Sequence, residues 1–468
     1  MVRWASSLVL IAACGFPRPA DVVDPKSCVD GICTDPSYPF CDEGGEISGS
    51  AKTCVAVSCA PGEFTACHGD VELSCNSAGT TYDALQCALG CDPAIGCRLC
   101  EPNQTVCANG KVQTCDASGA VTSSEICPLG CFEDQPRCRD IDPSNDLGKY
   151  LDMVANPPDL DLKDADFATG VGIVTSATQT VTVPNFLTGP SGDGAPIRVY
   201  IVNSLKLTNA SVEVGTMGPS APGLAIVARR DIVLEGLITI SSAAGQGTPG
   251  AAVIGCRPAG SGAWDPSVSS GGGGGANGTD GADGGSVVNT YPGGAKDVAS
   301  GTALLVPLRG GRSGTNIVGS YQNGGGAIQF SSGTAIHVDA TVDARGFDGI
   351  YAFSPDNASI WAGGGGGGGS ILLEAPDVVL GATTKLLTTG GKGYSTCPSA
   401  NCGAAGLGAT ATTPATKGSA VQFAAGASAG GGGGGLGRVR INTKTGVYTK
   451  ASSTVEDAVL TTGILSTR

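Results

Sequence analysis

Side-chain chemistry in this 468-residue chain would have to come from a short list: 20 cysteines, two histidines and one close grouping of carboxylates with an arginine. Cysteine can ligate metal, attack a substrate or pair. Cys97 and Cys100 have the CxxC spacing that zinc sites use, yet each belongs to its own set of six cysteines, which favours pairing. His337 alternates with Ile336 and Val338, so it is expected on the outward side of a strand, and His68 follows Cys67 in a small exposed turn. A serine triad built on His337 would need an Asp orienter and an exposed nucleophile, and no nucleophile elbow accompanies the histidine. The segment HVDATVDARGFDG gathers Asp339, Asp343, Arg345 and Asp348. Two carboxylates about 5–10 Å apart could serve as general acid and base on a glycosidic bond. Asp339 and Asp343 also occupy the polar positions of an alternating pattern, where solvent-facing charge is expected without catalysis.

The first residues, MVRWASSLVLIAACG, place one cation, Arg3, before an uncharged stretch from Trp4 to Ala13 that ends in two small residues and a cysteine. That order is the order of a secretory signal, and it is too short to span a bilayer. Ile11-Ala12-Ala13-Cys14 resembles the lipobox of bacterial lipoproteins, with Ile where Leu is commoner. The resemblance implies that Cys14 is acylated and begins the mature chain, anchored by several acyl chains at ~0.8 kcal/mol per buried methylene. Gly15, in place of the Asp associated with inner-membrane retention, implies an outer-membrane or cell-surface location in a Gram-negative bacterium. The alternative is an ordinary signal peptide cut elsewhere. Export fits the cysteine count, since an oxidising compartment favours disulfides. A net charge of −14 repels polyanions, so nucleic acid is not an expected partner. The expected partners are the membrane, through the lipid, and a polysaccharide or cell-surface ligand.

The elements that must position these residues divide near residue 140, because sixteen cysteines lie between Cys28 and Cys138 and only Cys256, Cys397 and Cys402 lie beyond. Cys59, Cys67, Cys75, Cys87, Cys91 and Cys97 recur about forty residues later as Cys100, Cys107, Cys115, Cys127, Cys131 and Cys138. CHGDVELSCNSAG repeats as CANGKVQTCDASG, so a unit has been duplicated. Cys28, Cys33, Cys41 and Cys54 frame a shorter relative. Such units are too small to bury a sufficient core without disulfides, and the spacing leaves fifteen pairings open for each six. The expected layout is a signal peptide over 1–14, a four-cysteine module over 15–58, six-cysteine repeats over 59–98 and 99–139, and an acidic linker with one helical turn over 140–166. A glycine-rich domain over 167–450 and a tail over 451–468 follow.

Within 167–450, four segments of about twenty-two residues superimpose, starting at Ile197, Leu224, Ala327 and Ser370, with a fifth starting at Gly437. Each holds three short runs of period-two alternation. Three strands per equal unit predict an all-β fold, a right-handed parallel β-helix with long glycine-rich inserts, preceded by small disulfide-rich repeats. A hairpin-built sandwich is the competing architecture. The glycine runs 324–326, 363–369 and 430–435 each precede the first strand of a unit, so stacked units would stack the runs. Glycine at every third position from Gly275 to Gly284 fits lateral packing of three-residue-per-turn helices; a flexible loop is the alternative. The segment GGANGTDGADGG, 274–285, is similar to the calcium-binding repeat GGxGxDxUx, but it lacks the apolar position and occurs once. Calcium is thus a minor expectation, and no resident cofactor is expected. Trp264, Tyr291, Tyr321, Tyr351, Phe353, Trp361 and Tyr394 cluster in the inserts, either sealing the edges of a glycine slab or stacking on sugars. Cys397 and Cys402 could close a small loop, leaving Cys256 free or bonded across.

The lipobox, the CxLGC repeats and units such as GLAIVARRDIVLEG and GGGGGSILLEAP together resemble large, glycine-rich, PGRS-like surface proteins of gliding soil bacteria. The resemblance implies architecture and location and brings no activity. The expected role is non-enzymatic, as a structural, adhesive or glycan-binding surface protein; the alternative is a polysaccharide lyase or hydrolase using Asp343 and Arg345 on a pectate-lyase-like β-helix.

Overall fold

The computed structural model describes residues 27–468 apart from 46, 57–58, 61, 78, 99, 168–172, 178, 190–195, 213–221, 241–261, 266–267, 316–322, 354–359, 396–401 and 425–426. The signal segment with Cys14, and also Cys256 and Cys397, lie outside the described residues. The chain divides into two compact units, Met1–Cys138 and Arg139–Arg468, and is nearly all β.

In the first unit the described cysteines are paired, and both six-cysteine repeats use one scheme: first with third, second with fifth, fourth with sixth. The pairs are Cys59–Cys75, Cys67–Cys91 and Cys87–Cys97, then Cys100–Cys115, Cys107–Cys131 and Cys127–Cys138. Cys28–Cys41 and Cys33–Cys54 staple the shorter module. Each repeat is a three-stranded antiparallel sheet, Phe64–His68, Val71–Cys75 and Tyr82–Gln86 in one and Thr105–Ala108, Lys111–Cys115 and Val121–Ile126 in the other. The hairpin at Asn109-Gly110 turns through two positive φ angles, 52° and 72°, which these residues tolerate and which match the twist of the paired strands. The buried apolar groups of the repeats are mostly the cystines, with Leu73 and Leu129, so the cross-links substitute for a core that so short a chain cannot build.

The second unit contains β1 (Asp159–Phe167), β2 (Ile197–Val202), β3 (Ser204–Val212), β4 (Gly223–Ala228), β5 (Ile232–Ile240), β6 (Ala327–Ser332), β7 (Ala335–Asp343), β8 (Ser370–Glu374), β9 (Asp377–Leu380), β10 (Lys385–Leu387), β11 (Arg438–Thr443), β12 (Thr449–Lys450), β13 (Val455–Asp457) and β14 (Val459–Ile464). From β1 to β9 consecutive strands alternate between two parallel sheets. One runs β1-β3-β5-β7-β9-β12, with β10 and β13 continuing beside β7; the other runs β2-β4-β6-β8-β11-β14. Short antiparallel strands, Ile173–Thr175 with Thr180–Thr182 and Asn185–Leu187, close the β1 and β2 edges.

The parallel register stacks like on like. Leu160, Leu205, Ile232, Ile336 and Val378 form one inward column, and Leu162, Leu207, Leu234, Val338 and Leu380 the next. Tyr200, Ile226, Phe330, Leu373 and Ile441 form a column in the opposite sheet. All fifteen side chains are buried in a single cluster, and each contributes roughly 1.5–3 kcal/mol by leaving water. Where three short strands per unit are expected, the second and third merge in β3 and β5 into nine residues bent at Asn209 (φ 57°) and Gly236 (φ 73°). Asp164 bends β1 at the same place (φ 51°). The bends are tied together: Asn209 Nδ2 donates to Asp164 Oδ1 at 3.1 Å, and Leu237 N donates to Asn209 Oδ1 at 2.9 Å.

Two boundaries differ from expectation. The stretch 140–166 is folded into the second unit rather than acting as a linker: Ile141 bridges Thr467, a short helix spans Gly148–Asp152, and Asp159 opens β1. The expected tail supplies β13 and β14, and β14 is the edge strand of its sheet. In β1 polar residues on the outward side mask the inward row of Leu160, Leu162, Ala165 and Phe167, whereas β14 carries no buried row and is placed by its pairing with β11.

The glycine runs lie side by side as a bundle joined by backbone hydrogen bonds. Gly275 N donates to Gly365 O, Gly365 N to Gly432 O and Gly432 N to Gly272 O, each at 2.9 Å, closing a ring of three parallel runs. Around the run 363–369 the bonding partner changes with a period of three. Gly363, Gly366 and Gly369 donate to Ile350, Phe347 and Ala344; Gly364 and Gly367 donate to Thr315 and Arg312; Gly365 and Gly368 donate to Gly432 and Gly435. Its carbonyls accept from Gly275, Gly325, Gly391 and Tyr394, so the run has six neighbours, as hexagonally packed three-fold helices require. A Cβ on Gly272, Gly365 or Gly432 would collide with a carbonyl oxygen of the adjoining run, that of Thr315, Gly391 or Ala282. Glycine is needed here for closeness of approach rather than for an unusual φ.

Candidate functional site

The outward faces of the parallel strands carry the groups singled out by the sequence. In β7, Ile336, Val338, Ala340 and Val342 are buried, and His337 and Asp339 are exposed between them. Asp343 and Arg345 form a two-pronged ion pair, with Nε to Oδ1 at 3.0 Å and Nη2 to Oδ2 at 2.6 Å. The carboxylate beside it holds the Arg345 guanidinium even more firmly charged than usual. Asp339 lies four residues back, about 13 Å along an extended strand, with Thr383 Oγ1 3.4 Å from its Oδ1. Asp348 Oδ1 accepts the Lys392 amide at 2.7 Å. The four residues therefore form three separate partnerships rather than two carboxylates facing one another. His68 sits exposed at the end of its hairpin strand.

The acidic glycine segment is likewise engaged internally. Asp280 accepts Lys296 Nζ at 2.6 Å and the Ala299 amide at 2.8 Å, and Asp283 accepts the Lys296 amide at 2.8 Å. The Lys296 ammonium, and then the amide, hold the Asp280 carboxyl below the ordinary aspartate range. These carboxylates fasten the run 294–300 to the bundle, a role different from a calcium loop. Asn277 does similar work from within, donating to Gly368 O and Gly369 O at 2.8 and 3.0 Å. Cys402 is disulfide-bonded. Tyr351 and Tyr394 pack with ring centres 5.5 Å apart, and Tyr291 packs on a small cluster of Val268, Val287, Val421, Ala427 and Ala429. Tyr321 and the side chains of Trp264, Phe353 and Trp361 lie outside the described residues.

Two features were not legible in the sequence. The first is Glu374, 1% exposed, which accepts from Ser144 N (3.0 Å), Ser144 Oγ (2.6 Å), Gln329 Nε2 (2.8 Å), Ser331 Oγ (3.0 Å) and Asn442 Nδ2 (2.9 Å). It clasps the turn at 144 to the outer face of the second sheet. The only hint was a carboxylate in the otherwise apolar strand SILLE. The second is a concave strip of about 560 Å³ at the strand bends, lined by Asp164, Ala165, Asp166, Asn209, Ala210, Ser211, Leu237 and Thr239. It crosses β1, β3 and β5, which only the parallel register brings together. Among the described residues no helix is long and apolar enough to cross a membrane.

No protein-family model matches the chain, and neither does a curated protein or a solved structure.

Proposed function

We propose that this is a non-enzymatic, lipid-anchored cell-surface protein with a structural, adhesive or glycan-binding role. Disulfide-stapled modules follow the lipidated Cys14, and the two parallel sheets are faces of a right-handed parallel β-helix whose successive turns add one strand to each. The observation that carries the reading is how the polar side chains are spent. Asp343 is held by Arg345 two residues on, Asp280 by Lys296 and Glu374 by five neutral donors, so these charges are taken up internally, and those of Asp280 and Glu374 fasten one segment to another. Disulfides in the first unit and backbone bonds in the second favour rigidity in an oxidising space outside the cell.

The test is expression in a Gram-negative host with a labelled fatty acid. The native chain is expected to take up the label and to be cut by protease added to intact cells, and Cys14→Ser to lose both properties. Equal labelling of the two chains would overturn the anchor. Release of products from a panel of polysaccharides, lost in Asp343→Asn, would establish an enzyme instead.

A further inference from the structure

We propose that the concave strip across β1, β3 and β5 binds a neutral or amino-sugar chain laid along the direction in which the strands stack. This rests on the glycan-binding part of the preceding reading and gives it a place and a ligand class.

The strip is built by register. Asp166, Ser211 and Thr239 stand opposite one another in β1, β3 and β5, so one hydrogen-bonding side chain recurs every ~4.8 Å, the spacing of paired strands. That spacing is on the scale of one pyranose unit, so a polymer lying across the strands can offer each rung a similar group. Beside this row the bends at Asp164, Asn209 and Gly236 make the concavity. Next to them Leu237 projects into it, 47% exposed, an apolar platform suited to the C–H face of a sugar ring.

Charge selects among glycans. The carboxylate oxygens of Asp164 and Asp166 accept hydrogen bonds, which fits ligand hydroxyls and ammonium groups. None of the strip's lining residues is basic. At its β7 end Arg345 is already neutralised by Asp343, and in the Leu237 column the basic residue is Lys385, two strands further on. With the whole chain at −14, a polyuronate would be repelled.

The experiment is calorimetric titration of the intact chain with N-acetylglucosamine oligomers, glucosamine oligomers and oligogalacturonate. Two variants of one strand are compared: Leu237→Lys, which puts a cation and bulk into the strip, and Val233→Lys, on the outward face before the bend. Matching melting temperatures verify that both are folded. Binding of the neutral or amino oligomers is expected, about tenfold weaker in Leu237→Lys and within about twofold of native in Val233→Lys. Equal affinity of native and Leu237→Lys, preference for oligogalacturonate, or failure of the native chain to bind any of the three would overturn the strip. None of these results bears on labelling at Cys14, so the surface location stands or falls separately.

Discussion

Replacing Gly365 by alanine adds one methyl group at a place with no room for it. The new Cβ would run into Gly391 O, Gly391 C and Lys392 O, all backbone atoms that cannot rotate away. Relief requires the run 388–394 to move outward, straining the bonds Gly391 N to Gly366 O and Tyr394 N to Gly363 O. Overpacking costs about 2 kcal/mol, and two weakened buried hydrogen bonds cost about 1 kcal/mol each. The loss of chain freedom in the unfolded state returns about 0.7 kcal/mol. The net destabilisation is about 3 kcal/mol, or a fall in Tm of roughly 5 °C for a domain of this size. Gly189 supplies the control, because a Cβ there meets nothing within 4 Å and its φ is ordinary; Gly189→Ala is expected to be neutral or slightly stabilising. Calorimetry on the two variants decides the matter. Equal melting temperatures would refute the close packing of the glycine runs.

Glu374→Ala leaves Ser144, Gln329, Ser331 and Asn442 facing a hole, and the unfolding free energy is expected to fall by about 3–5 kcal/mol; a fall below about 1 kcal/mol in a denaturant titration would show that the clasp at 144 is dispensable. Peptide mapping under non-reducing conditions is expected to recover Cys59–Cys75 and Cys100–Cys115 as equivalent pairs, and any pairing that differs between the repeats would contradict their common fold. The pH dependence of the run 294–300 follows from Asp280, whose folded carboxyl titrates below its unfolded value. Its contribution is fully present above the ordinary aspartate range and is lost as pH falls through the lowered folded value. Exchange of the Ala299 amide, which donates to Asp280, is therefore expected to stay slow on acidification until below that range, and loss of protection well above it would refute the assignment.

Much of this architecture is legible residue by residue. The duplicated cysteines mark two equivalent modules, and the alternation in AIHVDATVD places His337 and Asp339 outside and Ile336 and Val338 inside. The glycine runs before β6, β8 and β11 locate the bundle. What could not be read is pairing across distance. Fifteen disulfide schemes fit the spacing of each repeat, and geometry selects one. The linker reading of 140–166 gave weight to the charges of DLDLKDADF, whereas Leu160, Leu162, Ala165 and Phe167 form the inward row that opens the first sheet. The tail reading failed for a related reason, since VLTTGI is too polar to announce itself as a strand and owes its place to β11 beside it. The concave strip needs three strands whose sequences lie tens of residues apart, so no local pattern announces it.

The glycine bundle also has a calorimetric consequence. Melting a leucine-rich core exposes hydrocarbon and raises the heat capacity, by about 0.45 cal/K/mol per Å², whereas exposing amide surface lowers it by about 0.26. Separating runs such as 363–369 and 430–435 uncovers almost nothing but peptide groups. This portion of the chain therefore subtracts from the heat-capacity increment supplied by the aliphatic columns. The whole chain should show less than the ~12–15 cal/mol/K per residue of ordinary globular proteins. A smaller increment flattens the stability curve, so the folded state changes little in free energy between cold and warm surroundings.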